Sequence, residues 1–544
     1  MGFAQHKYTI LLIIILLFGL YVRSYHIDYP VIGYHNWKET NYLTTARNFA
    51  REGWFSQGLF VPMWDYPQLY EDPSGAHSDT FSTTPLLVSI AFWLFGENLA
   101  LARGINIALA LGSIVFMYLI VRKLFKREDL ALTTSALMAI TPLLVFFGRQ
   151  MDVLNSAIFF TLLGMYLYLH WIESFSWKTT IAFSFTILLG VFTKFTFALL
   201  LIPGFFVFPF AKLKDKTLWK KYAVCLIPLV LFFTWFLYIR TISADLGEEI
   251  NKINPGLLFN PNFWNTMLNF FAENFSLFMM SLFVLASLVF LLFAWKRLSE
   301  PGYKFFLSYL IGGVIWFIVL AEKLQGHNYH QYPLIPLVAF MTAFLFVAVA
   351  QTIAQTAKKQ WLKPVTILVL LVFVYSPINE LPFHNSAMKY SASRMFDTQF
   401  FGLDTAGEYL KEHKLPGERV MHSSHQAYGI LWHGDIKGTK RQKDVKLIQY
   451  GEDNLNITWL FVYQWDFDML SMPEVGEYIS KNYGLAQIGF MRSQNGINPV
   501  YFLLHKGGTF DLNKLNEYVK GKPVQSRTYE KTTGNIVMNY VDVE

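Results

Sequence analysis

The stretch "HNWKETNYLTTARNFAREGWF", residues 35–55, follows closely on an apolar run over 8–27 and carries five charges and a histidine. A run of that length crosses about 30 Å of hydrocarbon. It ends in "LYVRSYH", with no small-x-small cleavage pattern, so it reads as a retained first span rather than a signal peptide. A simple anchor would fade into a linker here. Instead Tyr42, Leu43, Ala46, Phe49 and Ala50 recur at three- and four-residue spacing, which predicts an amphipathic helix lying along the membrane interface. Asn36 stands at the N-cap position and Glu39 three residues on, the pattern of a capping box.

Further along, the chain stays apolar. Of its 544 residues 53% are hydrophobic, with 52 Phe, 29 Tyr and 15 Trp, and only 15% are charged, against about 25% charged in soluble domains. Most of it therefore belongs in lipid. Apolar runs fall at 8–27, 100–121, 130–148, 153–171, 179–193, 196–211, 221–240, 270–295, 304–322, 333–353 and 363–379. The net charge of +7 sits in short clusters between them: "RKLFKR" (122–127), "KLKDKTLWKK" (212–221), "WKRLSEPGYK" (295–304) and "AKKQWLK" (357–363). That pattern is a topology signal, not a phosphate-binding stripe, and nucleic acid is not an expected partner. Counting from a cytoplasmic N terminus puts all four clusters on the cytoplasmic side. Loops 28–99, 241–269 and 323–332, and the tail from 385, then lie outside. The single cysteine, Cys225, excludes disulfides within the chain and Cys-rich zinc sites.

The tail changes character. "DTAGEYLKEH" (404–413) and "PEVGEYISKNY" (473–483) read as helices, the second with Pro in its first turn. "VKLIQY" (445–450), "ITWLFVY" (457–463), "PVYFLLHK" and "GNIVMNYVDV" read as strands, and "GERVMHSS" as a turn and strand. The expected architecture is a multispanning α-helical membrane part over 1–384, with about 11–13 spans, and an extracytoplasmic α/β domain over 385–544.

Polar chemistry concentrates in few places. His35, Lys38 and Glu39 offer a base, a cation and a carboxylate within about one helical turn, a set suited to a phosphate-linked substrate; helix capping is the competing role for Glu39. In "GRQMD", Arg149 and Asp152 either pair as membrane-edge anchors or face the site. Lys194, in "GVFTKFTF", is an ionisable group between apolar halves, which either serves a lipid phosphate or snorkels to the interface. "EKLQGHNYHQYPLIPL" (322–337) brings His327, Tyr329, His330 and Tyr332 to the start of a span. No carboxylate stands at fitting spacing, so a metal is not indicated. The loop 56–85 supplies Asp65, Glu71, Asp72 and Asp79, among which the sequence does not choose.

These pieces in this order resemble the multispanning GT-C glycosyltransferases, in particular the family 39 branch of protein mannosyltransferases and lipid A aminoarabinose transferases. The resemblance covers about residues 8–345. It is most specific in "WKETNYLTTARNFAREGWF", in Phe-Gly and Arg103 of 92–125, in "GRQMD", in "TKFTFALLLIPG" and in "NYHQYPLIPL". It implies a polyprenyl-phosphate sugar as donor, an external-loop carboxylate as base on the acceptor and inversion at the sugar carbon; no cofactor is expected and a divalent metal is not indicated. By that resemblance Glu39 and Asp152 are the candidate catalytic acids. Lys38, Arg149, Lys194, His35 and Arg103 are candidate ligands of the donor phosphate. Trp37, Tyr42, Asp65, Asp79, His327, Tyr329, His330 and Tyr332 are candidate substrate contacts. The chain also departs from the pattern. Lys38 replaces the first carboxylate of the family's acidic pair, "STTP" (82–85) lacks the lysine of a Lys-Pro-Pro element, and Asn155 rivals Asp152 as the second-loop match. The alternative function is a transporter that moves the same lipid without transfer chemistry. Transporters place ionisable groups near the midplane, whereas here they gather at one face.

Overall fold

The computed structural model describes the chain apart from residues 1–2, 57, 64, 66–74, 77–79, 243–252, 376–396, 424–426, 441–443, 494–495, 532–533 and 544. Asp79, Glu71, Asp72 and the expected boundary at 384/385 lie outside the described residues.

Each of the eleven apolar runs falls largely on helix as far as it is described, the last to Tyr375. The helices are α1 (Phe3–Arg23), α4 (Leu99–Phe125), α5 (Glu128–Ile140) with α6 (Pro142–Arg149), α7 (Leu154–Ser174), α8 (Trp177–Thr193), a 3-10 turn (Phe195–Leu200) with α9 (Leu201–Val207), α10 (Trp219–Ile239), α11 (Pro261–Phe275) with α12 (Leu277–Ala294), α13 (Pro301–Val319), α15 (Ile335–Thr356) and α16 (Leu362–Tyr375). Among the described residues six helices are long and apolar enough to cross a membrane, or seven if α5 and α6 form one bent span. Others are short or interrupted. Between α5 and α6 the axis turns by 61°, because Pro142 cannot continue the α5 hydrogen bonds and pushes Thr141 to an extended ψ of 121°. α7 and α8 pack backbone to backbone: a Cβ on Gly190 would stand 2.6 Å from the Thr161 nitrogen, and one on Gly164 2.6 Å from that of Ile187. This contact holds the end of α8, with Lys194, beside the start of α7.

Two shorter helices were less legible. α3 (Thr83–Phe95) follows the first loop, and α2 (Asn36–Glu52) occupies the opening stretch. α2 does not lie along an open interface as its pattern predicts. Leu43, Ala46 and Phe49 pack with Val88, Phe92, Ala102 and Met151, but Lys38, Glu39, Asn41, Arg47 and Asn48 on its polar side are buried as well. The polar face is covered by protein instead of water.

The tail forms a seven-stranded mixed sheet of β1 (Arg419–His422), β2 (Lys437–Lys440), β3 (Ile457–Tyr463), β4 (Tyr483–Ser493), β5 (Gly496–Lys506), β6 (Gln525–Tyr529) and β7 (Ile536–Asp542). Its order is β2-β1-β3-β5-β4-β7-β6. β1 runs parallel to both neighbours and the remaining pairs are antiparallel. Both faces are buried, with Phe461 and Leu503 on one and Leu460, Phe502 and Leu504 on the other. The segment 445–450, expected as a strand, is instead the start of a helix, Val445–Leu455. The Asp444 side chain caps it by accepting from the Lys446 nitrogen, and only Ile448 and Gly451 are fully buried, an amphipathic rather than an alternating pattern.

This domain seats directly on the first loop. The Ile32 carbonyl accepts from the nitrogens of Gln399 and Phe400 at 3.0 and 2.9 Å, and His433 Nε2 accepts from the Val31 nitrogen at 3.0 Å. Arg47 bridges Asp65 and Asp435, and Lys437 pairs with Glu52 at 2.8 Å. Gly429 is needed here, since a Cβ would stand 2.4 Å from the Val31 carbonyl oxygen.

The seat predicts acid lability. Burial holds the His433 imidazole down, to about 4, against about 6.5 in an unfolded chain. Between those values the unfolded state binds the extra proton. Stability is therefore full above about pH 6.5 and declines as pH falls through that window. The melting temperature should drop from pH 7 to pH 5 in the wild type and stay flatter in His433→Asn, starting from a lower value. Parallel decline in both would refute this role of His433.

Candidate active site

The site is built where the first loop, the α6–α7 turn, the end of α8 and the segment before α15 meet. His35 enters α2 through a left-handed turn (φ 54°) and makes no capping hydrogen bond. The expected capping box is not formed. Asn36 is the first helical residue, and its Oδ1 accepts from the Gly429 nitrogen at 3.2 Å. Glu39 turns the other way. Arg103, on α4, donates to both of its oxygens at 2.9 Å, and the Met151 nitrogen donates to Oε1 at 3.2 Å. Burial alone would raise the Glu39 carboxyl, but the Arg103 charge and hydrogen bonds outweigh it and hold the group below its ordinary value.

Both arginines predicted to bind donor phosphate also donate to backbone carbonyls. Arg103 also donates to the carbonyls of His26, Ile27 and Tyr29, at 3.3, 3.1 and 2.6 Å. Arg149 donates to those of Tyr25 and His26 at 2.7 and 2.8 Å. Together they fasten the exit of the first span.

Asp152 has a different environment. It is 1% exposed, Oδ1 accepts from the Leu154 nitrogen at 3.1 Å, and Oδ2 has no hydrogen-bond partner among the described residues. Burial raises its carboxyl above the ordinary value, opposed by Lys38 and Lys194. Its own carbonyl accepts from Thr84 at 3.0 Å, and Thr84 also bonds Ser156 at 2.6 Å. Thr83 bonds Thr193. The "STTP" element thus lies between Asp152 and Lys194. The rival Asn155 is committed elsewhere, donating to Asn106 and the Phe147 carbonyl and accepting from Tyr332 at 2.7 Å.

Aromatic groups close the other side. The Lys38 ammonium stands 3.5 Å from the Tyr329 ring centroid, a cation–π contact. His35 lies edge-on to His327 and Tyr329, each at 5.4 Å, and Trp37 reaches His327 at 6.1 Å. His330 packs on Tyr329 at 4.5 Å. Burial, then His327 and Lys38, hold the His35 imidazole well below its ordinary value, so it is neutral at pH 7.

The structure therefore brings together His35, Trp37, Lys38, Asp152, Lys194, His327, Tyr329 and His330. Tyr42 packs in the α2–α3 core, and Asp65 is paired with Arg47 and Asn48. Sequence reasoning missed Lys323, on α14 (Ala321–Gly326), buried with its ammonium 4.7 Å from the Phe195 ring centroid. Beside Glu322 and before a glycine it carries no local signal of burial. Among the described residues no three His, Cys, Asp or Glu side chains are grouped to hold a metal ion.

Comparison with known proteins agrees with this layout. The sequence model of the dolichyl-phosphate-mannose-protein mannosyltransferase family matches residues 83–238, from α3 to α10. The archaeal oligosaccharyltransferase AglB from Archaeoglobus fulgidus, solved with an inhibitory peptide and a dolichol-phosphate, superposes with a TM-score of 0.57 at 12% identity, over 94% of this chain and 76% of that one. ArnT from Cupriavidus metallidurans, bound to undecaprenyl phosphate, gives a TM-score of 0.57 at 10% identity, over 90% of this chain and 97% of that one. The chain has the GT-C fold. No curated protein matches it by sequence. The apo form of ArnT aligns over 92% of this chain with a TM-score of 0.53, so the likeness extends through membrane part and tail alike.

Proposed function

We propose that the protein is an integral-membrane inverting glycosyltransferase that moves a sugar from a polyprenyl-phosphate donor to an acceptor on the extracytoplasmic face. The observation that carries this reading is Asp152: a buried carboxylate with one oxygen unpartnered among the described residues, flanked by two lysines. Asp152 takes the proton of the acceptor hydroxyl or amine, whose heteroatom forms the new bond to the anomeric carbon. The carbon–oxygen bond to phosphate breaks on the opposite side and its electron pair goes to the phosphate. Lys38 and Lys194 neutralise the charge that develops there.

The orientation is supported by charge. Along α4, Arg103 and Arg122 are about 28 Å apart at the helical rise, so the Glu39–Arg103 pair and the 122–127 cluster lie toward opposite ends of that helix. Lys363 pairs with Asp129 at 2.6 Å, which joins the clusters 122–127 and 357–363 at one end. The positive-inside rule makes that end cytoplasmic.

The test is release of polyprenyl phosphate from a panel of labelled polyprenyl-phosphate sugars, with native membrane extract supplying acceptors. Donor that binds without being consumed would turn attention to a lipid transporter. The pH profile adds a second check. A base with a raised proton affinity gives an acid limb in which kcat/KM climbs with pH, inflecting above the ordinary carboxylate value of about 4. Lys38→Gln removes a cation that holds the carboxyl down and should move that limb to higher pH. A limb insensitive to Lys38 would exclude Asp152 as its source.

A further inference from the structure

Buried polar side-chain atoms are almost always hydrogen-bonded. At the site a group of exceptions gathers. Among the described residues, His35 Nε2, Gln150 Oε1, Asp152 Oδ2, Thr196 Oγ1, Asn328 Oδ1 and His330 Nδ1 are buried without a hydrogen-bond partner. They come from the first loop, the α6–α7 turn, the 3-10 turn after α8 and the segment before α15, all pieces that meet at the site. The two histidines pack on one pair of rings. His327 and Tyr329 stack at 5.0 Å. His35 stands 5.4 Å from each, and His330 stands 5.9 and 4.5 Å from them. The Asn328 side chain lies beside the His35 ring. His35 holds its place in a left-handed backbone conformation, φ 54°, which few non-glycine residues adopt and which clusters at functional sites.

The chemistry of these atoms selects a ligand. Apart from Asp152, they belong to imidazole, amide and hydroxyl groups. A hydroxyl both donates and accepts, so it completes either imidazole nitrogen whichever tautomer is present. A phosphodiester oxygen only accepts, and so fits a ring nitrogen only when that nitrogen carries the proton. An ammonium or carboxylate would ask for an opposite charge at these positions. We propose that this cluster is the subsite for the transferred sugar, with His35 Nε2 and His330 Nδ1 each bonding a hydroxyl of an uncharged sugar. The inference rests on the transferase reading above. It moves His35 from the donor phosphate, where the family resemblance puts it, to the sugar.

The experiment measures binding to the full chain in nanodiscs of undecaprenyl phosphodiesters that differ only in the second group on phosphate: glucose, mannose, galactose, arabinose, aminoarabinose or methyl. The wild type should bind one of the four hydroxyl sugars roughly tenfold tighter than the methyl diester, as two net hydrogen bonds supply, and tighter than the amino sugar. His35→Gly, whose backbone accepts the left-handed turn freely, should lose most of that gain while binding the methyl diester as before. His330→Phe, which keeps a ring on Tyr329, should do the same. His35→Asn tolerates the turn and can donate and accept, so it should restore part of the gain. A wild-type gain in both folded variants would overturn the proposal, leave these nitrogens to buried water and keep the transferase reading intact. No gain for any sugar in the wild type, a tightest fit for aminoarabinose, or an equal loss for the methyl diester would overturn it too. If the wild type binds the methyl diester no better than undecaprenol, the transferase reading fails first.

Discussion

Asp152→Asn is expected to lower the rate of sugar transfer about 10³-fold, the middle of the range for loss of a general base, with donor binding changed only a few-fold. The asparagine is nearly isosteric and its Oδ1 can still accept from the Leu154 nitrogen, which now bonds the carboxylate at 3.1 Å. The fold should therefore survive, and the melting temperature should stay within a few degrees of the wild type. What disappears is the proton acceptor at Oδ2. Single-turnover transfer from a labelled donor separates the two effects. Full transfer by a folded Asp152→Asn protein would remove Asp152 from the mechanism.

The second large effect falls on stability. Glu39 and Arg103 form a buried two-pronged pair, 4% and 2% exposed. Removing one partner of such a pair costs about 3–5 kcal/mol, because the other is left charged and buried. Glu39→Gln should thus melt markedly lower and lose activity in proportion to folded protein. Glu39→Gln combined with Arg103→Met should recover part of the loss. The sign with pH follows from the depressed Glu39 carboxyl: its contribution is full above the unfolded value of about 4.3 and is lost as pH falls through the folded value. A Glu39→Gln protein with wild-type melting and no transfer would instead make Glu39 the base.

These two residues also show what a sequence can and cannot display. Hydropathy placed all eleven helical runs because burial in lipid demands an unbroken apolar stretch. It did not give their continuity, since breaks such as the turn at Pro142 depend on how neighbours fill them. Glu39 and Asp152 look alike in the chain, each an acid beside basic residues. Their difference, one oxygen pair fully engaged and one oxygen unpartnered among the described residues, comes from Arg103 and Met151 arriving from distant segments. Arg103 and Arg149 carry no local sign of what they hold: Arg103 grips Glu39 and the carbonyls of His26, Ile27 and Tyr29, and Arg149 donates to the carbonyls of Tyr25 and His26. Lys323 comes near the site through its ammonium over the ring of Phe195, the residue after Lys194. In the tail, "VKLIQY" misled because β-branched residues suggest a strand, whereas the Asp444 cap and the polar run after it favour a helix.

The seating of the tail on the first loop bears on the order of assembly. The Glu530 nitrogen donates to Tyr29 across 501 positions, and His433 reaches Val31 across 402. The spans can enter the bilayer as they emerge. The loop that carries Lys38 acquires its cover only when nearly the whole polypeptide has been made. Contacts of such sequence separation form late and slowly. The first loop thus stays without its cover through most of synthesis, and a chain cut short within the sheet would leave the helices beside an uncovered loop.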